Sequence, residues 1–211
     1  MPNYRFDIEQ NTDEWFNIKI GMFSASTAAK LLSDKKTKGY QQLISEIAEE
    51  RITGNKCESK EFSGNSFTNR GHEFEPIARE DYEFRTLQSI KQVGVVIKDE
   101  WCLCSPDGLI YDDKLHQIKC PIFSTQEEYL LKAKKNEDVK KIIPSNYYKQ
   151  MQFELFICHD RESNIFTSYH PHLKPLDIEL KRDEEMQELI KIRLSDAIEE
   201  VKQRIELIKS L

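Results

Sequence analysis

The spacing of hydrophobic and polar positions changes period along this chain, and each change marks an element. Trp15 and Ile18 fall on one side of a short helix over Asp13–Ile20 that Gly21 ends. Ser24-Ala25-Ser26 opens a second helix over Thr27–Leu32, with the serines placed as N-caps. Tyr40–Thr53 carries Leu43, Ile44, Ile47, Ala48 and Arg51 at helical spacing and stops at Gly54-Asn55. The polar stretch 55–69 reads as a loop, and Gly71–Thr86 is helical again through Phe74, Ile77, Ala78, Asp81 and Tyr82. The period then shortens. Val93–Ile97, Trp101–Ser105, Leu109–Tyr111 and Leu115–Lys119 are apolar or alternating segments broken by polar turns, which predicts the strands of a meander. Gln126–Lys135 and Ser145–Leu155 predict helices, and Asn164–His170 and Leu176–Leu180 predict strands. Asp183–Leu211 predicts one long amphipathic helix with Ile190, Leu194, Ile198, Val201, Ile205 and Ile208 as its stripe. It packs on its own core or joins a subunit interface, and its own core is preferred. This order predicts an α/β (α+β) fold in one domain, residues 1–211.

Composition narrows the class. With 38% hydrophobic and 32% charged residues, the 211-residue chain reads as soluble and globular, large enough for a sizeable core. No apolar run approaches the roughly 18 residues of a membrane span. The N-terminal Met-Pro-Asn-Tyr-Arg-Phe-Asp has no apolar signal core, so a cytoplasmic location is expected. Five cysteines, scattered and without a Cys-x-x-Cys pair, argue against a disulfide framework and a zinc site. Cys102 and Cys104 share one strand face and read as packing residues. A net charge of −6 does not exclude nucleic acid. Placement of charge matters more, and lysines crowd 30–38, 132–141 and 181–191.

The chemistry concentrates in residues 105–121, Ser-Pro-Asp-Gly-Leu-Ile-Tyr-Asp-Asp-Lys-Leu-His-Gln-Ile-Lys-Cys-Pro. Pro-Asp-Gly alone is what a turn demands. Set ten residues before a residue-x-Lys triplet, it is also the signature of the PD-(D/E)xK metal-dependent nucleases, with Asp107 and Lys119 in place and Gln117 where a carboxylate is expected. Phosphodiester hydrolysis needs an activated water, charge stabilisation at phosphate and help for the leaving oxygen. Divalent ions on oxygen ligands supply these. Residues 117 and 119 of a strand share a face, which Asp107 can reach from the preceding hairpin; His116 and Ile118 point the other way. Lys119 then orients the attacking water or stabilises the phosphate, and the Ile118 carbonyl remains a possible backbone ligand.

Beyond that motif, nearly the whole chain resembles the phage lambda exonuclease family of YqaJ-type viral recombinase nucleases. The resemblance lies in five segments in order: Trp15–Thr27, Arg70–Arg79, the core of Cys104–Leu109 with Ile118–Pro121, Tyr147–Gln152, and Tyr169–Pro171 with Lys181–Glu184. It implies a PD-(D/E)xK restriction-endonuclease-like core, a central mixed sheet flanked by helices. It implies Asp107 bridging two Mg²⁺ ions (Mn²⁺ substituting), with position 117, the Ile118 carbonyl and Glu75 as further ligands and Lys119 as the catalytic lysine. Gln150 and Tyr147, three apart on a helix, would support the site by hydrogen bonding. Ser26 would hold the 5′-phosphate of a DNA end at a helix N-terminus. Lys19 stands where the family has an arginine, keeping the charge without bidentate geometry.

The departure is Gln117, where the family has glutamate. The amide keeps shape and one carbonyl but removes a charge, so weakened metal binding and impaired hydrolysis are expected. Because Asp107, Lys119 and Glu75 all survive, we read it as a deliberate inactivating substitution in preference to a naturally inactive paralogue. The resemblance implies a 5′-to-3′ exonuclease on double-stranded DNA ends that leaves 3′ tails, phage or prophage encoded in a bacterial host. A ring-shaped homotrimer and a single-strand annealing partner are implied with it. The alternatives are another PD-(D/E)xK endonuclease or repair nuclease, and a DNA-end-binding protein without catalysis.

Overall fold

In the computed structural model, residues 1–57 and 66–211 are described, the backbone alone for 66–69. In chain order the helices are α1 (Asp13–Ile18), α2 (Ala28–Leu31), α3 (Lys38–Thr53), α4 (Ser66–Thr86), α5 (Phe123–Lys134), α6 (Val139–Ile142), α7 (Ser145–Ile157) and α8 (Glu184–Lys209). The strands are β1 (Asn3–Arg5), β2 (Phe23–Ser24), β3 (Ile90–Lys91), β4 (Val95–Ile97), β5 (Cys102–Cys104), β6 (Gly108–Ile110), β7 (Lys114–Lys119), β8 (Ser163–His170) and β9 (Leu173–Lys181). The helices end where local chemistry ends them. Thr37 caps α3 by accepting from the Tyr40 N–H, and Gly54 closes it at φ 68°.

Two mixed sheets form where one central sheet is expected. One is four-stranded in the order β1-β4-β5-β2, the other five-stranded in the order β3-β6-β7-β8-β9. The expected meander is therefore split. β4 pairs with β5 in one sheet, and β6 pairs with β7 in the other. The chain changes sheets at Ser105-Pro106-Asp107. Proline has no N–H with which to continue a ladder. Gly108 then opens β6 opposite His116, and a Cβ there would stand 2.2 Å from the Ile90 Cγ2 of β3. Pro-Asp-Gly is thus a crossing point between sheets, and its glycine admits a neighbouring strand.

β7 and β8 run parallel from Lys114↔Ser163 to Lys119↔Ser168, joined by the crossover through α5, α6 and α7. The main core packs Leu43, Ile44 and Ile47 of α3, Phe153 and Leu155 of α7, and Ile190, Leu194, Ala197 and Val201 of α8 against the sheets. α8 thus packs on its own core as preferred, although Ile208 at its far end is exposed. Cys102 and Cys104 lie fully buried in that core, and all five cysteines are free. Among the described residues no helix is long and apolar enough to cross a membrane.

Further differences are local. α4 begins at Ser66, so 66–69 is helix, while 58–65 of the expected loop lies outside the described residues. Pro76 sits inside α4, where it removes one N–H of the ladder. A 3₁₀ turn over Ala25–Thr27 precedes a short α2, so Ser26 lies within the turn rather than capping a helix. The short β1, β2, β3 and α6 have no counterpart in the hydrophobic pattern.

Gly108→Ala is expected to cost about 1–3 kcal/mol through overpacking against Ile90. Denaturant unfolding should show this loss reduced when Ile90 is also replaced by Ala; full additivity of the two changes would contradict the close-approach role of Gly108.

Candidate active site

The site begins with a ladder that stops early. β6 pairs with β7 only as far as Gly108↔His116, so the next donor on that edge of β7 has no strand partner. Asp107 supplies one. Its Oδ2 accepts from the Ile118 backbone N–H at 2.6 Å and also from the Gln117 side-chain amide. Gln117 is buried, and its Oε1 accepts from Gln150 Nε2 of α7 at 2.7 Å. His116 points to the opposite face, as its parity requires, with its ring 4.5 Å from that of Tyr82 and Nε2 2.7 Å from Thr167 Oγ1. Ile118 therefore reaches the site through its N–H.

Glu75 approaches from α4. Its carboxylate pairs with Arg79 one turn along at 2.7 Å, and Arg79 Nη2 also donates to the Asp107 carbonyl at 3.4 Å. Burial first, and then the negative charge of Asp107, push the Glu75 carboxyl up to about 7. Burial likewise lifts Asp107 above its ordinary range against the opposing pull of Lys119, the Ile118 N–H, Arg79 and Gln117. Lys119 stands at the end of β7 with its Nζ 5.1 Å from the centre of the Tyr147 ring, so Tyr147 meets the site with its ring face. A groove of about 700 Å³ runs past Glu75, Asp107, Ile118, Lys119 and Tyr147. A second groove of about 420 Å³ reaches Glu75, Arg79 and Asp107 from the side of Gln10 and Gly94. Both grooves end on the same two acids.

Ser26 and Lys19 line a separate pocket of about 310 Å³ with Trp15, Ser24, Thr27 and Lys56. Lys19 Nζ lies 3.4 Å from the centre of the Trp15 ring, and Ser26 Oγ is 2.9 Å from Ser24 Oγ. The pocket is tied to the acids through Trp15, whose Nε1 donates to Ser105 Oγ at 2.9 Å, two residues before Asp107. Because α2 is a single turn, little helix dipole reaches Ser26, and side chains must provide most of any anion contact.

A model of the YqaJ-like viral recombinase domain matches residues 14–163, which include Lys19, Ser26, Glu75, Asp107, Gln117, Lys119, Tyr147 and Gln150. The chain belongs to that family. This YqaJ-like domain is similar over 94% of its length to 97% of the crystal structure of an alkaline exonuclease from Laribacter hongkongensis, with 28% identity and a TM-score of 0.79. The same exonuclease in complex with dAMP matches with the same values. A phage-related exonuclease from Haemophilus somnus shares the fold at a TM-score of 0.66 and 18% identity, over 89% of this chain and 96% of that one. None of the curated proteins matches this chain.

One residue of the YqaJ-like site escapes sequence reasoning altogether. Glu154, one turn beyond Gln150 on α7, is fully buried. Its Oε1 accepts from the same Gln150 nitrogen at 2.9 Å, and its Oε2 accepts from Asn164 Nδ2 of β8 at 2.7 Å. Burial is the main cause that pushes its carboxyl up to about 8. The only signal in the sequence is its spacing of four from Gln150, which any helix glutamate could show.

Among the described residues no group of three or more His, Cys, Asp or Glu is arranged to hold a metal ion. The donor set nevertheless fits one hard divalent cation, because magnesium takes one or two carboxylates and completes its shell with water. Asp107 and Glu75 supply that pair, and the repulsion that adds to burial in lifting Glu75 is what a cation between them would relieve.

The raised carboxyls set a pH dependence. A carboxyl held above its unfolded value takes up protons on folding, so its stabilisation is present at low pH and fades as pH rises through the folded value. In EDTA, stability should fall between about pH 4.5 and 8 through Glu75 and Glu154. Thermal melts of Glu154→Gln should show a shallower decline over that window. An unchanged slope would contradict the buried, protonating Glu154.

Proposed function

We propose that this YqaJ-like domain, residues 1–211 as one unit, is a divalent-metal-dependent exonuclease acting on linear double-stranded DNA from 5′ to 3′ and leaving a 3′ single-stranded tail. The observation that carries the reading is the meeting of Asp107 and Glu75 where two grooves end, with Lys119 lining the larger of the two. Family membership and the likeness to an alkaline exonuclease support a nuclease in general. The polarity, the tail, and a phage or prophage origin in a bacterial cytoplasm rest on the resemblance of the sequence segments.

Asp107 and Glu75 would hold the cation, Mg²⁺ or Mn²⁺ in its place. When bound, it supplies Lewis-acid stabilisation of phosphate charge and lowers the pKa of a bound water. Ile118 fixes the Asp107 carboxylate through its backbone N–H, so the acid is in place before substrate arrives. Lys119 carries positive charge to the same groove, where it faces phosphate oxygens or orients the attacking water. Tyr147 confines the Lys119 ammonium, and Gln150 holds Gln117. Ser26 and Lys19 receive the 5′-phosphate of the DNA end in their own pocket. A homotrimer ring would keep the enzyme on DNA, with a single-strand annealing protein taking the tail.

Gln117 lowers the activity of this arrangement. The second of two paired ions depends on charge that an amide lacks, and the amide itself occupies Asp107. That contact also favours one second reading, a DNA-end-binding protein without catalysis, since it holds Asp107 without any cation.

Gln117→Glu should raise Mg²⁺-dependent loss of one strand from 5′-phosphorylated linear duplex by at least about 10²-fold, with EDTA abolishing it. Lys119→Ala should reverse the gain. End binding without cleavage by both proteins would establish the non-catalytic reading, and cutting of closed circles would point to an endonuclease. Sedimentation should give about three times the chain mass of 24.9 kDa; a monomer would contradict the ring.

A further inference from the structure

Glu154 is a buried acid that none of these steps uses. Both of its oxygens accept hydrogen bonds, from Gln150 at 2.9 Å and from Asn164 at 2.7 Å, and both donors are neutral amides. Burying a carboxylate among neutral groups is costly, and a glutamine or methionine would fill the same volume without that cost. The position is therefore not explained by packing alone.

Its hydrogen bonds run in one direction. Both Glu154 oxygens accept in the structure, and above the raised value of its carboxyl the ionised group can only accept, so Gln150 is held with its NH₂ toward Glu154. The same nitrogen donates to Gln117 Oε1 at 2.7 Å, which turns the Gln117 NH₂ toward Asp107. Two amides thus connect Glu154 to Asp107 with every donor matched to an acceptor. Position 117, where the motif expects an acid, is the middle of this relay.

Resting on the nuclease reading, we infer that Glu154 is the third carboxylate of the site, displaced from position 117 to the far end of a two-amide relay, and that it governs divalent-cation affinity at Asp107. It is a positioning residue. Once ionised, its charge lies on the far side of Gln117 from the cation, and its accepting oxygens orient Gln150 and, through it, Gln117, whose NH₂ donates to the Asp107 carboxylate. Gln117 and Glu154 are in this sense one exchanged pair, an amide near the cation and an acid behind it.

The test is a double-mutant cycle read by calorimetric titration of Mn²⁺, above about pH 8, into four metal-stripped proteins: native, Glu154→Gln, Gln117→Glu, and both together. Thermal melts accompany the titration. Glu154→Gln should weaken Mn²⁺ binding by about 10- to 100-fold in the native background, the range for groups that orient metal ligands. With glutamate at 117 the same change should cost no more than about three-fold, so the exchanged pair recovers the affinity. An equal effect in both backgrounds, or none in either, would overturn the inference, because a packing role would shift melting temperature alike in both. If Glu154→Gln alone does not fold, Glu154→Asp keeps the charge and should hold Mn²⁺ affinity within about ten-fold of native, while a complete loss in folded protein would overturn the inference. Parallel assays on linear duplex separate the two levels. Mn²⁺-dependent cutting by the Gln117→Glu proteins, with Glu154→Gln leaving Mn²⁺ affinity unchanged where Gln117 is present, sinks only the relay; no Mn²⁺ binding or cutting in any protein sinks the nuclease reading with it.

Discussion

The 2.6 Å hydrogen bond from the Ile118 backbone N–H to the Asp107 carboxylate lies where the chain crosses between the two sheets, at the point where the chemistry lies. A strand edge left without a partner must satisfy its donors, and here an acid does so. Because β6 begins only at Gly108, the donor on β7 beyond His116 has no strand partner, and the bend at Pro106-Asp107 brings the carboxylate to it. The same bend moves the chain from the four-stranded sheet to the five-stranded one. The geometry of the acid and the architecture of the domain therefore have one cause. A side chain fixed by backbone on a strand pinned between β6 and β8 is held more rigidly than one on a surface loop.

Around that point the domain gathers charge that it does not neutralise. Glu75 comes from α4 and Glu154 from α7, and burial raises both carboxyls while Lys119 lies near enough to lower them. Repulsion of this kind is found at sites where a cation or a proton is handled, although structural networks also produce it. Here it coincides with two grooves and with membership of the YqaJ-like family, which makes the functional cause the stronger one. Gln117 partly quiets the repulsion by giving Asp107 a donor in place of a second acid.

What was legible in the sequence was what local physics encodes. The long helices announced themselves by period and caps, and α3 stops at Gly54 as its pattern requires. Asp107 and Lys119 were legible as a motif, and Gln150 reaches Gln117 from the helix face assigned to it. Two-residue strands such as β2 and β3 were not, because so few positions carry no period and their pairing is decided by distant partners. Nor could the pattern show that β5 and β6 belong to different sheets, since alternation is the same in either. Ser26 reads as a helix cap from sequence, yet the 3₁₀ turn that holds it depends on Thr27 bonding back to Ser24. Glu154 was invisible for a different reason. Burial of a helix glutamate is a property of what packs over it, here Asn164 of β8 and Gln150.

The proposed activity requires a divalent cation seated between Asp107 and Glu75. Crystals of the domain soaked in Mn²⁺ and measured at the manganese absorption edge would show this directly. An anomalous peak within coordination distance of the Asp107 carboxylate, facing Glu75, is the expected result. A map with no peak at these acids in Mn²⁺-saturated crystals, or with manganese bound only elsewhere, would contradict the account.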